Sequence, residues 1–353
     1  MSRAQQAAER VCHPSPNSVS AARRRILSAL GSSGVLLAAG TWLALPRTAL
    51  AQAATAPDRL IRIILPVGAG SGVDTIVRSA GASLGKELGH TVVIENQPGA
   101  GGIVGTSTLV RSAPDGFTLS VVSNNHVIYP SVYKSVPFDP VADITPISVI
   151  GATPLVLVIN PNKLPATNLR ELVALLKARP DQYNYASPGN GTILHLAAQM
   201  FLEEAQVKAR HIPYKGVGPM VTDLIGGQVD LGVLALPSVQ AHLKSGALRA
   251  IGVGGTTRSP AAPDIPTLAE QGLPNYQMEG WFAAIGPARL PAADLRRIHA
   301  AVVAAYASPE VREAMAKQGN TINPTTPEAA AQYFHSELAK YAQLVKKAGV
   351  ELQ

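Results

Sequence analysis

Leu60-Ile61-Arg62-Ile63-Ile64-Leu65-Pro66 leads into Val67-Gly68-Ala69-Gly70-Ser71-Gly72-Val73-Asp74, continues through residues 75–88, and closes on Thr91-Val92-Val93-Ile94-Glu95. The first segment is an apolar run of strand length and the second a glycine-rich turn. In the third, Ile76, Ala80, Leu84 and Leu88 fall on one helical face, and the last is a second strand. A strand, loop, helix and strand in this order form a crossover unit, whose strands are normally parallel. The alternation continues outward. Helical patterns cover 104–112, 169–178 (introduced by Thr167-Asn168), 193–205, 220–225 and 239–245, and strand patterns cover 118–122, 155–159, 183–186, 231–234 and 250–253. Three helical stretches, 291–307, 309–317 and 327–348, end the chain. The pattern predicts an α/β protein with mostly parallel sheets, in which ligands sit at the carboxyl ends of strands.

The amino-terminal end has the marks of an export signal. Arg23-Arg24-Arg25 precede an apolar run over residues 26–45, and Ala49-Leu50-Ala51 supplies a small-x-small cleavage site. Residues 1–51 are therefore read as a signal peptide, with cleavage after Ala51 as first choice and after Ala53 as second. The arginines fit a twin-arginine signal and an ordinary secretory signal equally well. Cys12 is the only cysteine and lies inside this segment, so the mature chain is expected to form no disulfide. A leader of 51 residues leaves 302 of the 353, enough for two lobes with substantial cores.

Charge excludes one class of partner. The formal net charge is +7, but residues 1–51 carry Arg3, Arg10, Arg23, Arg24, Arg25 and Arg47 against Glu9, a net +5, which leaves about +2 on the remainder. So small a balance, with no basic stripe interleaved with aromatics, predicts no nucleic-acid partner. No later stretch is apolar enough to span a bilayer.

Four places along the chain combine strand-end position with suitable chemistry. In the loop Val67, Gly68, Ala69, Gly70 and Ser71, glycines permit close backbone approach, and free N–H groups with the helix dipole favour an anion at the helix start. Asp74 reads there as the helix N-cap, with ligand contact as the alternative. A second loop of the same kind, Ser187-Pro188-Gly189-Asn190-Gly191-Thr192, follows another strand, and His195 one turn later either meets a ligand or packs. A third place is Asn124 and Asn125 after a strand, and a fourth Tyr214 with Lys215. Two anion-friendly helix starts would clamp a small acid. Catalytic patterns fit poorly. The first loop ends in Val73 where a dinucleotide fingerprint needs glycine, and Ser71, flanked by Gly70 and Gly72, has Ala69 and Val73 as outer neighbours where a hydrolase elbow needs glycines. No histidine pair has zinc-site spacing, so no metal and no cofactor are expected. A secreted serine hydrolase using Ser71 or Ser187 is kept as the alternative from another class.

Longer motifs carry a family resemblance. Val92-Val93-Ile94-Glu95-Asn96-Gln97-Pro98-Gly99-Ala100-Gly101-Gly102, Ala113-Pro114-Asp115-Gly116-Phe117-Thr118-Leu119, Tyr185-Ala186-Ser187-Pro188-Gly189-Asn190-Gly191-Thr192 and Pro213-Tyr214-Lys215-Gly216 all contribute, as do Pro266-Thr267-Leu268-Ala269-Glu270 and Trp281-Phe282. With these the chain resembles the Bug receptors, the TctC-like solute-binding proteins of tripartite tricarboxylate transporters. The resemblance implies a type II periplasmic-binding-protein fold. One lobe would comprise 57–153 plus 280–353 and the other 154–279, joined by a two-strand hinge around a ligand cleft. It further implies a non-catalytic periplasmic monomer serving membrane transporter subunits, or alternatively a sensor docking to a membrane kinase. In that family, backbone amides of the first loop hold a ligand carboxylate, helped by ordered waters, and the second lobe's Ser/Gly/Thr loop closes over it. Carried over, this marks Gly68, Ala69, Gly70 and Ser71 on one side and Ser187, Asn190, Gly191 and Thr192 on the other. The family loop usually reads Pro-Phe-Pro-Ala-Gly-Gly. Here Val67, Gly68 and Ser71 replace the aromatic, the second proline and the second glycine, so ligand identity cannot be carried over.

Overall fold

A computed structural model describes residues 59–347; the expected signal peptide and Cys12 lie outside the described residues. The elements are β1 (Ile61–Leu65), α1 (Gly72–Leu88), β2 (Val92–Asn96), α2 (Ile103–Val110), β3 (Thr118–Ser123), α3 (Asn125–Val132) and β4 (Ile144–Ile159). Next come α4 (Leu169–Ala178), β5 (Asn184–Ser187), α5 (Ile193–Glu204), β6 (Arg210–Pro213), α6 (Val217–Ile225), β7 (Leu231–Ala235), α7 (Leu236–Lys244) and β8 (Arg249–Val253). The chain returns through β9 (Glu279–Pro287), α8 (Ala292–Ala307), α9 (Pro309–Gln318), β10 (Thr321–Ile322) and α10 (Pro327–Lys347).

The strands form one sheet in the order β2-β1-β3-β9-β4-β7-β5-β6, with β8 and β10 also paired to β4. Its wings are parallel, as the crossover units predict: β1 pairs with β2 and β3, and β5 with β6 and β7. Its centre corrects the expectation of mostly parallel strands, because β9 runs antiparallel to both β3 and β4, and β4 antiparallel to β7 and β8. β4 passes through both halves of the sheet. Residues 144–154 pair with β9, and Leu155 to Ile159 lie between β7 and β8. The sequence pattern captured only that last part, since Pro146, Gly151 and Pro154 interrupt the earlier stretch and the ladder with β9 shifts register there.

Local chemistry sets the helix ends nearest the cavity. Ser71 caps α1 and Gly89 ends it in the left-handed conformation at φ 70°. The start lies at Gly72 rather than at residue 75, because Ser71 and not Asp74 is the cap. α4 occupies the predicted span, with Asn168 Oδ1 accepting from Glu171 N at 3.0 Å. The α1 stripe of Ile76, Val77, Ala80, Leu84 and Leu88 is buried against β1 and α8 residues such as Ile63, Ile298 and Tyr306. Each large apolar side chain so buried stabilises the fold by about 1.5–3 kcal/mol. A larger apolar cluster surrounds β4, β7 and α5, and members of both clusters, Leu155, Ile193 and Ala235 of this one and Val73 of the other, line the same cavity. Among the described residues no helix is long and apolar enough to cross a membrane.

Candidate functional site

A cavity of about 630 Å³ lies where the carboxyl ends of β1, β3, β5 and β7 meet. Of the predicted site residues, Val67, Gly68, Ser71, Asn124, Asn125, Gly189, Asn190, Thr192, Tyr214 and Lys215 line it. Ala69 and Gly70 form an exposed tip, and Asp74, Ser187, Gly191 and His195 are buried behind the wall.

The first loop is braced from behind. Gly70 takes φ +78°, a left-handed conformation that favours glycine, and Ser71 N donates to Gly68 O at 3.3 Å. Ser71 Oγ accepts from Asp74 N at 3.2 Å, while Asp74 Oδ2 accepts from Gly70 N at 2.9 Å, a reciprocal capping arrangement. Asp74 Oδ1 accepts from Arg78 Nε at 2.8 Å and Asn96 Nδ2 at 2.9 Å. Asp74 is therefore neither the cap nor in the cavity wall: its carboxylate organises the loop from the protein side. The amide of Gly70, an expected ligand donor, is engaged by that carboxylate. The first two helical residues, Gly72 and Val73, both line the cavity. They have no intrahelical acceptor for their N–H groups, and none elsewhere among the described residues. With the dipole of a 17-residue helix behind them, these are the donors suited to a carboxylate.

The second loop uses its groups internally. Ser187 Oγ donates to Gly189 O at 3.1 Å and pairs with His211 Nε2 at 2.7 Å, and Thr192 Oγ1 donates to Gly189 O at 2.9 Å and accepts from His195 N. Gly191 N donates to His195 Nδ1 at 3.1 Å, and Ile193 N, at the start of α5, donates to Asn125 Oδ1 at 2.8 Å. Beneath the loop, His211 stacks between His195 and Tyr185, with ring centroids 4.1 and 4.8 Å away. Burial drives the His195 pKa down to about 3, helped by neighbouring His211, and burial lowers His211 to about 4. His195 thus packs as a neutral ring. Ser187, fully buried, is shielded from the cavity, and among the described residues no carboxylate hydrogen-bonds His211.

Asn124 and Asn125 begin α3 rather than a loop, and their side chains tie elements together. Asn124 Oδ1 accepts from Trp281 N at 2.9 Å and its Nδ2 donates to Tyr341 Oη at 2.6 Å. Asn125 Nδ2 donates to Gly101 O at 3.2 Å. Tyr214 turns its hydroxyl away to Asp223 Oδ2 at 2.8 Å, and its pKa is pushed up to about 12, mainly by burial; Lys215 is exposed at the rim. Lining residues absent from the sequence-based set are Gly99 to Gly102, Tyr133, Thr153, Ser238 and Trp281 among others. The glycine cluster after β2 carried a readable signal. Isolated Thr153 and Ser238 carried none.

The halves meet closely around this space. A Cβ at Gly72 would stand 2.7 Å from Ala235 Cβ, and one at Gly191 would stand 2.5 Å from Val132 Cγ2. Tyr133 Oη donates across to Asn190 O at 3.3 Å.

Comparison with known proteins follows the same lines. Residues 76–350 match the model of the tripartite tricarboxylate transporter family receptor, a match that begins just beyond the first loop. BugT of Bordetella pertussis is 35% identical over 304 residues, covering 86% of this chain and 93% of BugT. The structure of the periplasmic binding protein BugD superposes with a TM-score of 0.81 at 32% identity, covering 84% of this chain and all of BugD. R. palustris Rpa4515 with adipate gives 0.81 at 27%, covering 84% and 99% of the two chains. MatC of Rhodopseudomonas palustris with bound malate gives 0.77 at 27%, covering 82% and 99%. On the family match and these whole-chain similarities, the protein belongs to the Bug/TctC family of tripartite tricarboxylate transporter receptors and has the periplasmic-binding-protein fold.

Proposed function

We propose that this chain is a non-catalytic receptor of the bacterial periplasm that captures a small carboxylate-bearing solute and presents it to a membrane transporter. The observation that carries the reading is the cavity wall at α1, where the Gly72 and Val73 amides stand unengaged at a helix start. The adipate and malate held by relatives are solutes of the same chemistry. In this reading residues 1–51 are removed on export, and 57–153 with 280–353 form one lobe and 154–279 the other. β4 and β9 act as the hinge. Closure is favoured by contacts made to both lobes at once, which shifts the population toward the closed form.

A thermal-shift screen of mono- and dicarboxylates on the mature chain tests this. An acid at a hundred times its dissociation constant is expected to stabilise by about 2.7 kcal/mol. No shift with any carboxylate would contradict the reading. Turnover of a generic ester library that is lost in Ser71→Ala or Ser187→Ala would contradict its non-catalytic part.

A further inference from the structure

α10 contributes no residue to the cavity wall, yet it holds two residues that do. Its buried face reads Ala330, Phe334, Glu337, Tyr341 and Val345, a stripe at helical spacing with a carboxylate at its middle. Glu337 is only 5% exposed, and both of its oxygens are engaged. Oε2 accepts from Trp281 Nε1 at 2.8 Å, and Oε1 accepts from Lys340 Nζ at 2.9 Å, where the lysine side chain is half exposed. Tyr333 and Phe334 pack edge-on against the indole, with ring centroids 5.7 and 5.4 Å away. One turn beyond Glu337, Tyr341 Oη accepts from Asn124 Nδ2 at 2.6 Å.

Trp281 and Asn124 both line the cavity and are bonded to each other, Trp281 N donating to Asn124 Oδ1 at 2.9 Å. In the ladder between β4 and β9, Trp281 lies opposite Ala152 and Gly280 opposite Thr153. This piece of wall is therefore built on the strands that join the halves of the sheet, and α10 backs it. A carboxylate is a costly side chain for a buried helix face, because an apolar one of similar size fills the place without losing hydration. What the carboxylate adds is direction: a fixed acceptor at Nε1 sets how the indole lies, which packing by a methionine would not do.

Resting on the receptor reading above, we infer that Glu337 and Tyr341 are positioning residues of the binding site. From outside the cavity they fix Trp281 and Asn124, so that solute affinity depends on a helix that supplies no lining residue.

The sequence has two tryptophans, Trp42 and Trp281, and Trp42 falls in the expected signal peptide, so Trp281 is the single indole of the mature chain. Isothermal titration reads affinity, and the lone indole N–H resonance and the fluorescence anisotropy of Trp281 read the ring. The probe is whichever of succinate, malate, glutarate, adipate and benzoate binds the unaltered mature chain most tightly or, if none does, the strongest acid of the screen above. Glu337→Met, which keeps the volume and removes the acceptor, should weaken the probe about tenfold, move the indole proton upfield and lower the anisotropy. Glu337→Gln, whose amide oxygen still accepts, should stay within about threefold of the unaltered chain. In a Trp281→Phe background, which lacks the donor, Glu337→Met should change affinity by less than about twofold. Tyr341→Phe, a milder change, should weaken the probe about fivefold and serves as the deciding variant if Glu337→Met does not fold.

A purely structural role predicts lower melting temperatures with affinity unchanged. Affinity within about twofold of the unaltered chain in every folded variant of Glu337 and Tyr341 would overturn the inference and leave the receptor reading standing. So would an equal loss from Glu337→Met with Trp281 present and with Trp281→Phe. Binding of no carboxylate at all would instead overturn the receptor reading and this inference with it.

Discussion

The loops before α1 and α5 are near copies in sequence character, each a glycine-rich turn between a strand's carboxyl end and a helix start, yet they do opposite work with their hydrogen bonds. Before α1, side chains behind the turn brace it: Ser71 caps, Asp74 holds the exposed tip, and the amides of cavity-lining Gly72 and Val73 are left unengaged. Before α5, Thr192 Oγ1 and Ser187 Oγ bond Gly189 O, His195 Nδ1 takes the Gly191 amide, and Asn125 of α3 takes the Ile193 amide, so more of this loop's groups are engaged by the protein. In the proposed reading, the two-ended anion clamp expected from sequence grips mainly on the α1 side. The difference lies in whether a loop's polar side chains take its own amides or leave them for a ligand.

Substitutions that need space separate the loops most. Gly191→Ala places a Cβ 2.5 Å from Val132 Cγ2 at φ +67° and is expected to destabilise by about 3 kcal/mol. Gly70→Ala, at φ +78° with nothing within 4 Å, should cost only about 1 kcal/mol. Urea unfolding compares them, and equal costs would erase the contrast between a packed loop and an open one.

Next in size is the loss of a donor. Gly72→Pro in an Ala235→Gly background removes one cavity amide while leaving room for the ring. Proline suits the first helical position, and Ser71 is extended at ψ 162°. A lost charge-assisted hydrogen bond of about 2 kcal/mol predicts roughly thirtyfold weaker acid binding by calorimetry, with the melting temperature little changed. Unchanged affinity would remove Gly72 from the site.

Acid should act through the α5 side. In the unfolded chain histidine takes up a proton near its ordinary pKa of 6.5, whereas folded His195 stays neutral down to about 3 and His211 to about 4. The unfolded state binds more protons throughout that interval, so this stability is complete above pH 6.5 and declines as pH falls toward 3. His195 alone should account for about 2 kcal/mol between pH 6.5 and 5. His195→Phe should flatten the slope of stability against pH over that range, whatever its effect at pH 8. An unaltered slope would contradict the buried neutral ring. Smallest is Tyr133→Phe, which removes the 3.3 Å bond to Asn190 O and should cost under about 1 kcal/mol in unfolding experiments.

Much of the fold was legible because its wings are built from local signals. The 169–178 helix is set by an Asn168 cap and an apolar stripe, and β1, β2 and β3 are short apolar runs between helices. The centre was not. Glu279–Pro287 and residues 144–154 pair with each other across more than a hundred residues, and their glycines and prolines read locally as breaks. α3 was hidden in the same way by Pro130. At the site, glycine density marked both loops, but which amides remain unengaged depends on Asp74, Asn96 and Asn125, brought there by tertiary contacts that spacing does not encode. Thr153 and Ser238 line the cavity as single residues of a strand and a helix, without a motif.

The most direct test is amide proton NMR of ¹⁵N-labelled mature protein titrated with a binding carboxylate. The Gly72 and Val73 amides should show the largest downfield shifts, as charge-assisted donors do, with Gly191 and Ile193 nearly unmoved. The largest shifts at Gly191 and Ile193, with Gly72 and Val73 unchanged, would contradict the one-sided grip at α1.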